Sequence, residues 1–290
     1  MVPDGTANIH SQAATGSVSP TAASTQVSIP LFASGARGQT QPPRTTIKRP
    51  NLAQWPLVSP RSELPEMSWK TAHRSFYYET APEPEDLKLP PRETALLCID
   101  VQNYGMKLHD DPAERARWAP FHARMQATVI PRLRALQDSF RSAGIDVIHA
   151  RIACLLDDGR DRSLSQKMPG WNNLLMPLAS EASKIVPELA PRGDEIVVTK
   201  TTDSALTGTN LRLVLQNMGI RNLVVTGVYT DQCVSSTVRS LADESFNVVL
   251  VEDCCAAGTD ELHRQELAIL NMIYCHVVSS AELRAIMGLD

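Results

Sequence analysis

The chain has little net charge, no long apolar run, few cysteines and, over its first sixty residues, almost no acid. Its 28 Lys and Arg stand against 32 Asp and Glu, a formal charge of −4. That leaves no basic footprint of the kind that phosphate backbones select, so nucleic acid is not an expected partner. No stretch approaches the roughly 20 apolar residues that cross a bilayer. The longest runs, such as LVVTGV over 223–228, are broken by polar residues or turns, and no membrane role is expected. Six cysteines in 290 residues are too sparse for a disulfide scaffold, and Cys98 and Cys275 sit inside apolar runs. A reducing, cytoplasmic setting is the expectation. There is no C-x-x-C pair and no H-x-x-x-H pair, so no metal and no cofactor are predicted.

Residues 1–60 are rich in Ser, Thr, Ala, Pro and Gly, and residues 5–62 contain no acid. Such a composition cannot bury a core, and the segment is expected to be a disordered tail. Organelle targeting is the alternative, although no Arg-rich amphipathic helix opens the chain. Residues 61–91, with Trp69, Phe76, Tyr77 and Tyr78, read as an arm that packs on the domain or on a partner subunit. From 92 to 290 the punctuation changes to short β-rich runs alternating with helical segments. Strands are predicted at 94–100, 146–151, 195–200, 222–228, 247–252 and 275–278, and helices at 120–143, 210–218, 234–242 and 261–273. This alternation predicts an α/β fold, a three-layer αβα sandwich with a six-stranded, mainly parallel sheet.

In parallel sheets, active groups collect at the carboxyl ends of the strands. Asp100 ends the first strand and Lys200 the third, and the fourth leads through Gly227-Val228-Tyr229-Thr230-Asp231-Gln232-Cys233 into a helix. A helix start and a nearby cation are expected to lower the Cys233 thiol pKa, and free amides there could hold an oxyanion. Each residue also has an ordinary reading: Cys233 as a small buried hydrophobe, Asp100 as a post for loop amides, Lys200 as a surface charge. Their coincidence at one edge favours a nucleophile, a carboxylate and an ammonium acting together.

These residues resemble the isochorismatase-like cysteine hydrolases, which include N-carbamoylsarcosine, biuret and ureidoacrylate amidohydrolases. The resemblance spans about 92–290. It rests on Thr226-Gly227-Val228-Tyr229-Thr230-Asp231-Gln232-Cys233-Val234, on Cys98-Ile99-Asp100-Val101-Gln102-Asn103, and on Lys200-Thr201-Thr202-Asp203-Ser204-Ala205-Leu206. It implies Cys233 as nucleophile, Asp100 as general base then acid, and Lys200 as the charge holding both. It further implies a cis peptide between Val228 and Tyr229, with the amides of Tyr229 and Cys233 forming an oxyanion hole. Asn103, Tyr104, Trp171, Val228 and Tyr229 are candidates to contact substrate. Leu206 stands where the family has phenylalanine, a change expected to reshape the pocket. After Arg151 no histidine occurs until His263, which disfavours the metal-assisted nicotinamidases.

The implied activity is metal-independent cleavage of a C–N bond in a small amide, carbamoyl or ureido compound through a thioester. The alternatives are isochorismatase-type enol-ether hydrolysis and a noncatalytic metabolite-binding or interaction protein. The expected partners are a small-molecule amide or ureide and, as the family implies, further copies of the chain in a dimer or tetramer. Cys254-Cys255, placed in a turn after the fifth strand, reads as two small residues rather than a redox pair. His149, at the end of the second strand, reads as a hydrogen-bonded structural histidine.

Overall fold

The computed structural model describes residues 68–170 and 172–289. The tail expected over 1–60, the first residues of the arm, and Trp171 lie outside the described residues.

In chain order the elements are β1 (Thr94–Ile99), α1 (Asn103–Met106), α2 (Pro112–Arg124), α3 (Ile130–Ser142) and β2 (Asp146–Ile152), then the two-residue strands β3 (Lys167–Met168) and β4 (Asn172–Asn173). They continue as β5 (Ile196–Lys200), α4 (Leu211–Met218), β6 (Asn222–Val228), α5 (Ser235–Asp243), β7 (Asn247–Ala256), α6 (Asp260–Leu270), β8 (His276–Val278) and α7 (Ser280–Met287). The main sheet has the order β5-β2-β1-β6-β7-β8, and every neighbouring pair is parallel.

Alternation along the strands divides the core in two, because successive side chains point to opposite faces. Leu97, Ile99, Val225 and Leu250 meet α4, α5 and α6 through Leu211, Leu215, Val238, Leu241 and Leu267. Leu96, Val224, Val249 and Val251 face the other way, against Phe121, Leu133, Leu136, Phe140 and Leu283 of α2, α3 and α7. With each buried aliphatic or aromatic side chain contributing about 1.5–3 kcal/mol, the two layers fix which strand residues face which helix.

Two expectations are corrected. The helix predicted at 120–143 begins at Pro112, because the Asp111 carboxylate caps the amides of Ala113 and Glu114 and Pro112 occupies the first turn, where its missing N–H costs nothing. It widens over Met125–Val129 before α3, just ahead of Pro131, which cannot donate to the carbonyl four residues back. β7 runs on to Ala256, so Cys254 and Cys255 are fully buried strand residues rather than turn residues.

The described part of the arm rests on the β8 side. Trp69 is buried, its ring lies edge-on 5.5 Å from His276, and its amide donates to Glu282 Oε1 at 3.0 Å. Asn271 Nδ2 donates to the carbonyls of Ala72 and His73.

The chain starts at the sheet centre, moves through β2 and β5 on one side, then returns to β6 on the other. The topological switch therefore falls between β1 and β6, where a crevice opens beyond the strand ends. At that seam Gly227 pairs with Ile99 and has φ of +119°. A Cβ there would lie 2.0 Å from the Ile99 carbonyl oxygen, which no rearrangement of a side chain relieves. Gly227→Ala is expected to lower stability by more than about 4 kcal/mol. Urea unfolding followed by circular dichroism tests this, and a midpoint within error of wild type would refute the close approach.

Candidate active site

Asp100 turns the chain sharply at the end of β1, with φ of +53°. Its short carboxylate tolerates the left-handed region better than most side chains do. The turn is pinned by the Asp100 amide donating to Ala150 O and the Gln102 amide donating to Asp100 O, each at 2.9 Å. Gln102 braces it from below, accepting from the Ile152 amide and donating to the carbonyls of Ile152 and Ser183. Lys200 ends β5, two strands away, and is completely buried.

An ammonium has three protons, and that of Lys200 meets three acceptors. Asp100 Oδ2 lies at 2.6 Å, the Thr202 carbonyl at 3.1 Å and Cys233 Sγ at 3.3 Å. The sulfur arrives from β6 through the Val228–Tyr229 peptide, which is cis. A wide helical turn over Thr230–Val234 follows, in which the amides of Gln232 and Val234 both donate to Tyr229 O. Asp100, Lys200 and Cys233, expected at one edge, are thus brought to one point.

The charge state differs from the expectation of a lowered thiol pKa. Burial, and then the Asp100 charge, push the Cys233 thiol well above its ordinary value, and Lys200 only partly offsets them. Burial also raises the Asp100 carboxyl, against the opposing pull of Lys200. For Lys200, burial favours the neutral amine, but Asp100 and the sulfur outweigh it and its pKa is raised. Lys200 already faces the Asp100 carboxylate and Asp203 places a second carboxylate 3.9 Å from the sulfur, so a thiolate would be a further anion without a cation of its own. The resting sulfur is a thiol beside an elevated carboxylate base.

A cavity of about 70 Å³ lies over the sulfur. Tyr104, Val228 and Tyr229, expected at the substrate, line it; Asn103 does not, since its side chain turns away to donate to Glu181 O at 3.0 Å. Leu206 also departs from expectation: it is buried in the core beside α4 and α5, away from the cavity lining. His149 bonds Glu195 Oε2 at 3.2 Å, at the far face of the sheet from the sulfur, as a structural histidine would.

Residues that the sequence did not single out complete the walls. Gln166, Asn172 and Met176 come from the long connection between β2 and β5, which carries no periodic signal. Asp203 lies within the Lys200 motif; it accepts from Gln166 Nε2 at 3.1 Å, and its Oδ1 is 3.9 Å from the sulfur. His263 on α6 is buried, with Nε2 at 2.8 Å from Arg124 Nη2 and Nδ1 at 2.8 Å from Thr230 Oγ1. A guanidinium only donates, so Nε2 accepts and Nδ1–H donates to Thr230. Burial and Arg124 push the His263 pKa down to about 3, and this neutral imidazole ties the Thr230–Val234 turn to α2. Among the described residues no three His, Cys, Asp or Glu side chains gather as a metal-ligand cluster, and no helix is long and apolar enough to cross a membrane.

A sequence model of the Isochorismatase domain matches residues 94–282. The chain is 29% identical over 199 residues to the ureidoacrylate amidohydrolase RutB of Acinetobacter baylyi, covering 64% of this chain and 80% of that protein. It is 31% identical over 203 residues to the protein of the same name from Pseudomonas savastanoi pv. phaseolicola, covering 65% and 80%. Among solved structures, one described as a putative hydrolase of the isochorismatase family from Chromobacterium violaceum superposes with a TM-score of 0.53 at 31% identity, covering 71% of this chain and 98% of that one.

The buried ion pair carries a stability prediction. Lys200→Met leaves Asp100 buried without its cation, a loss of about 3–5 kcal/mol at neutral pH. In that variant the folded-state pKa of Asp100 lies above its unfolded value of about 3.9, so the folded state holds a proton that the unfolded state releases. Stability is fullest below the unfolded pKa and falls as pH rises towards the folded one. The deficit against wild type is expected to be larger at pH 8 than at pH 5 in urea titrations; a deficit independent of pH would rule out the pairing.

Proposed function

The chain belongs to the isochorismatase family, and from that premise we propose that it is a cysteine amidohydrolase cleaving a C–N bond of a small amide, carbamoyl or ureido compound through a thioester. The observation that carries this reading is the contact of one buried ammonium with both a carboxylate and a thiol, Lys200 with Asp100 and Cys233. The amidohydrolase relatives at 29% and 31% identity support the reaction class.

In the first half-reaction the thiol proton passes to Asp100 as Sγ bonds to the substrate carbonyl carbon. An elevated carboxylate suits this step, because a base is effective when its proton affinity approaches that of the group it deprotonates. Negative charge moves to the carbonyl oxygen, for which the amides of Tyr229 and Cys233 are the donors in this reading. The C–N bond then breaks, Asp100 returns the proton to the departing nitrogen, and an acyl-sulfur bond remains. In the second half, Asp100 takes a proton from water, hydroxide adds to the thioester carbon, and the proton restores the thiol as the acid leaves. Lys200 stays protonated throughout, so its charge holds both partners without entering the proton count.

Val228, Tyr229 and Tyr104 would border the bound substrate in this reading. Assembly into a dimer or tetramer belongs to it as well, supported by Phe76 and Tyr77, which are 82% and 84% exposed on the arm. A reducing setting is supported by six free cysteines.

Ammonia release is the test, measured across small amides and ureides with wild type and Cys233→Ala. Turnover by wild type is expected to fall at least about a thousandfold in the variant, and mass spectrometry of quenched reactions should show the acyl group on Cys233. Retained ammonia release would overturn Cys233 as the nucleophile, whereas an enol-ether hydrolase would release no ammonia in either protein. An acyl group on another residue would overturn the assignment.

A further inference from the structure

Beyond the cavity over the sulfur lies a second cleft of about 270 Å³, between α1 and α2. The two share three wall residues, Tyr104, Gly105 and Tyr229. Gly105 sits in α1 without a positive φ, so the backbone does not require glycine there. A Cβ at that position would meet only Tyr229 Oη, at 3.9 Å. The missing side chain leaves the neck between the two clefts unfilled.

The walls of the second cleft are ring faces. Trp118 lies 5.8 Å from Tyr229 at a tilt of 48°, and His109 stacks on Trp118 at 5.8 Å and 22°. Trp118 is held edge-on by Phe121 at 5.6 Å. Lys107 also lines the cleft, but its side chain is three-quarters exposed and its ammonium is 3.9 Å from Asp110, so the cleft offers no unpaired cation for a carboxylate.

The second observation is His122. It lines this cleft and is only 7% exposed. Its ring touches Phe121 edge-on, and neither nitrogen has a hydrogen-bond partner among the described residues. Neither nitrogen is sealed from the cleft, and a neutral imidazole lining it offers a ligand one donor and one acceptor. Burial and the nearby His109 lower its pKa below the ordinary imidazole value, which favours the neutral ring. A neutral imidazole lining the cleft beside aromatic faces suits a flat ring carrying a neutral polar substituent.

We infer that this cleft is a substrate subsite: the amide or ureide cleaved at Cys233 carries an aromatic or heteroaromatic ring that passes Gly105, lies against Trp118 and Tyr229, and hydrogen-bonds His122 through a neutral substituent. The inference rests on the hydrolase reading above and names the substrate class of that same site. It also accounts for the disparity in size between the clefts. The small one fits the reacting carbonyl, and the larger one fits what is attached to it.

Binding and turnover separate the two claims. In the Cys233→Ala protein, which holds amides unreacted, calorimetry compares 4-hydroxyphenylacetamide, phenylacetamide and propionamide. Both ring amides are expected to bind at least tenfold tighter than propionamide, with the hydroxylated one tighter than its parent. Adding His122→Phe, which keeps the ring and removes both nitrogens, should erase the preference for the hydroxyl. Adding Gly105→Leu, which fills the neck, should lower the ring-to-alkyl ratio at least tenfold. Equal affinity for ring and alkyl amides, or a hydroxyl preference that survives His122→Phe, would overturn the subsite. Ring-selective binding without ammonia release by wild type would uphold the subsite and sink the hydrolase reading; ammonia release without ring selectivity would do the reverse.

Discussion

A single buried ammonium holds the arrangement together. Lys200 has no exposure, and its three protons go to a carboxylate, a carbonyl and a sulfur contributed by three different strand ends. Removing such a charge from water costs several kcal/mol, and only good geometry with every proton satisfied offsets it. The neighbours must therefore be rigid. β1 is buried along its whole length, the Asp100 turn is pinned from β2, and the sulfur is fixed by a wide turn whose first residue is tied through His263 to α2.

The sheet order explains why these groups can meet at all. Asp100 and the turn after Val228 come from adjacent strands on either side of the switch, while Lys200 reaches across β2 from the edge strand. Reach decides the residue types here. A four-carbon stem spans a strand that an aspartate could not, and a short carboxylate fits the left-handed turn at the centre. Gly227 belongs to the same economy, since β6 approaches Ile99 too closely there for any side chain.

Much of this was legible in the sequence, because strand ends announce themselves. Apolar runs that stop at Asp100, Lys200 and Val228 mark both the strands and the edge where chemistry collects, and the observed sheet has the six strands predicted. What failed to show was anything set by tertiary approach. Asn103 lies beside the acid motif, yet the carbonyl of Glu181 claims its side chain. Leu206 lies inside the lysine motif, yet the core claims it. Gln166 and Met176 reach the cavity from a connection without periodicity, and β7 continues through Cys254 and Cys255 although strand propensity fades after Glu252. His122 could be read only as one more histidine on a helix until its neighbours were known.

The raised thiol makes an uncharged resting sulfur part of the site's chemistry. A site holding a stable thiolate would carry net negative charge in a nearly dry interior, and the sulfur would be less basic and less nucleophilic for it. With Lys200 already facing Asp100 and Asp203 beside the sulfur, the proposed reaction has the sulfur release its proton only as a carbonyl arrives to accept the electrons, so that deprotonation and attack are coupled. In the proposed reaction the carboxylate that takes the proton is strengthened as a base by burial, and it gives the proton up because the departing amine nitrogen is more basic still. In that reading deprotonated sulfur is confined to moments when a substrate fills the cavity. The same reasoning places selectivity in whatever seats the rest of the molecule, because a cavity of about 70 Å³ has room for little beyond the reacting carbonyl.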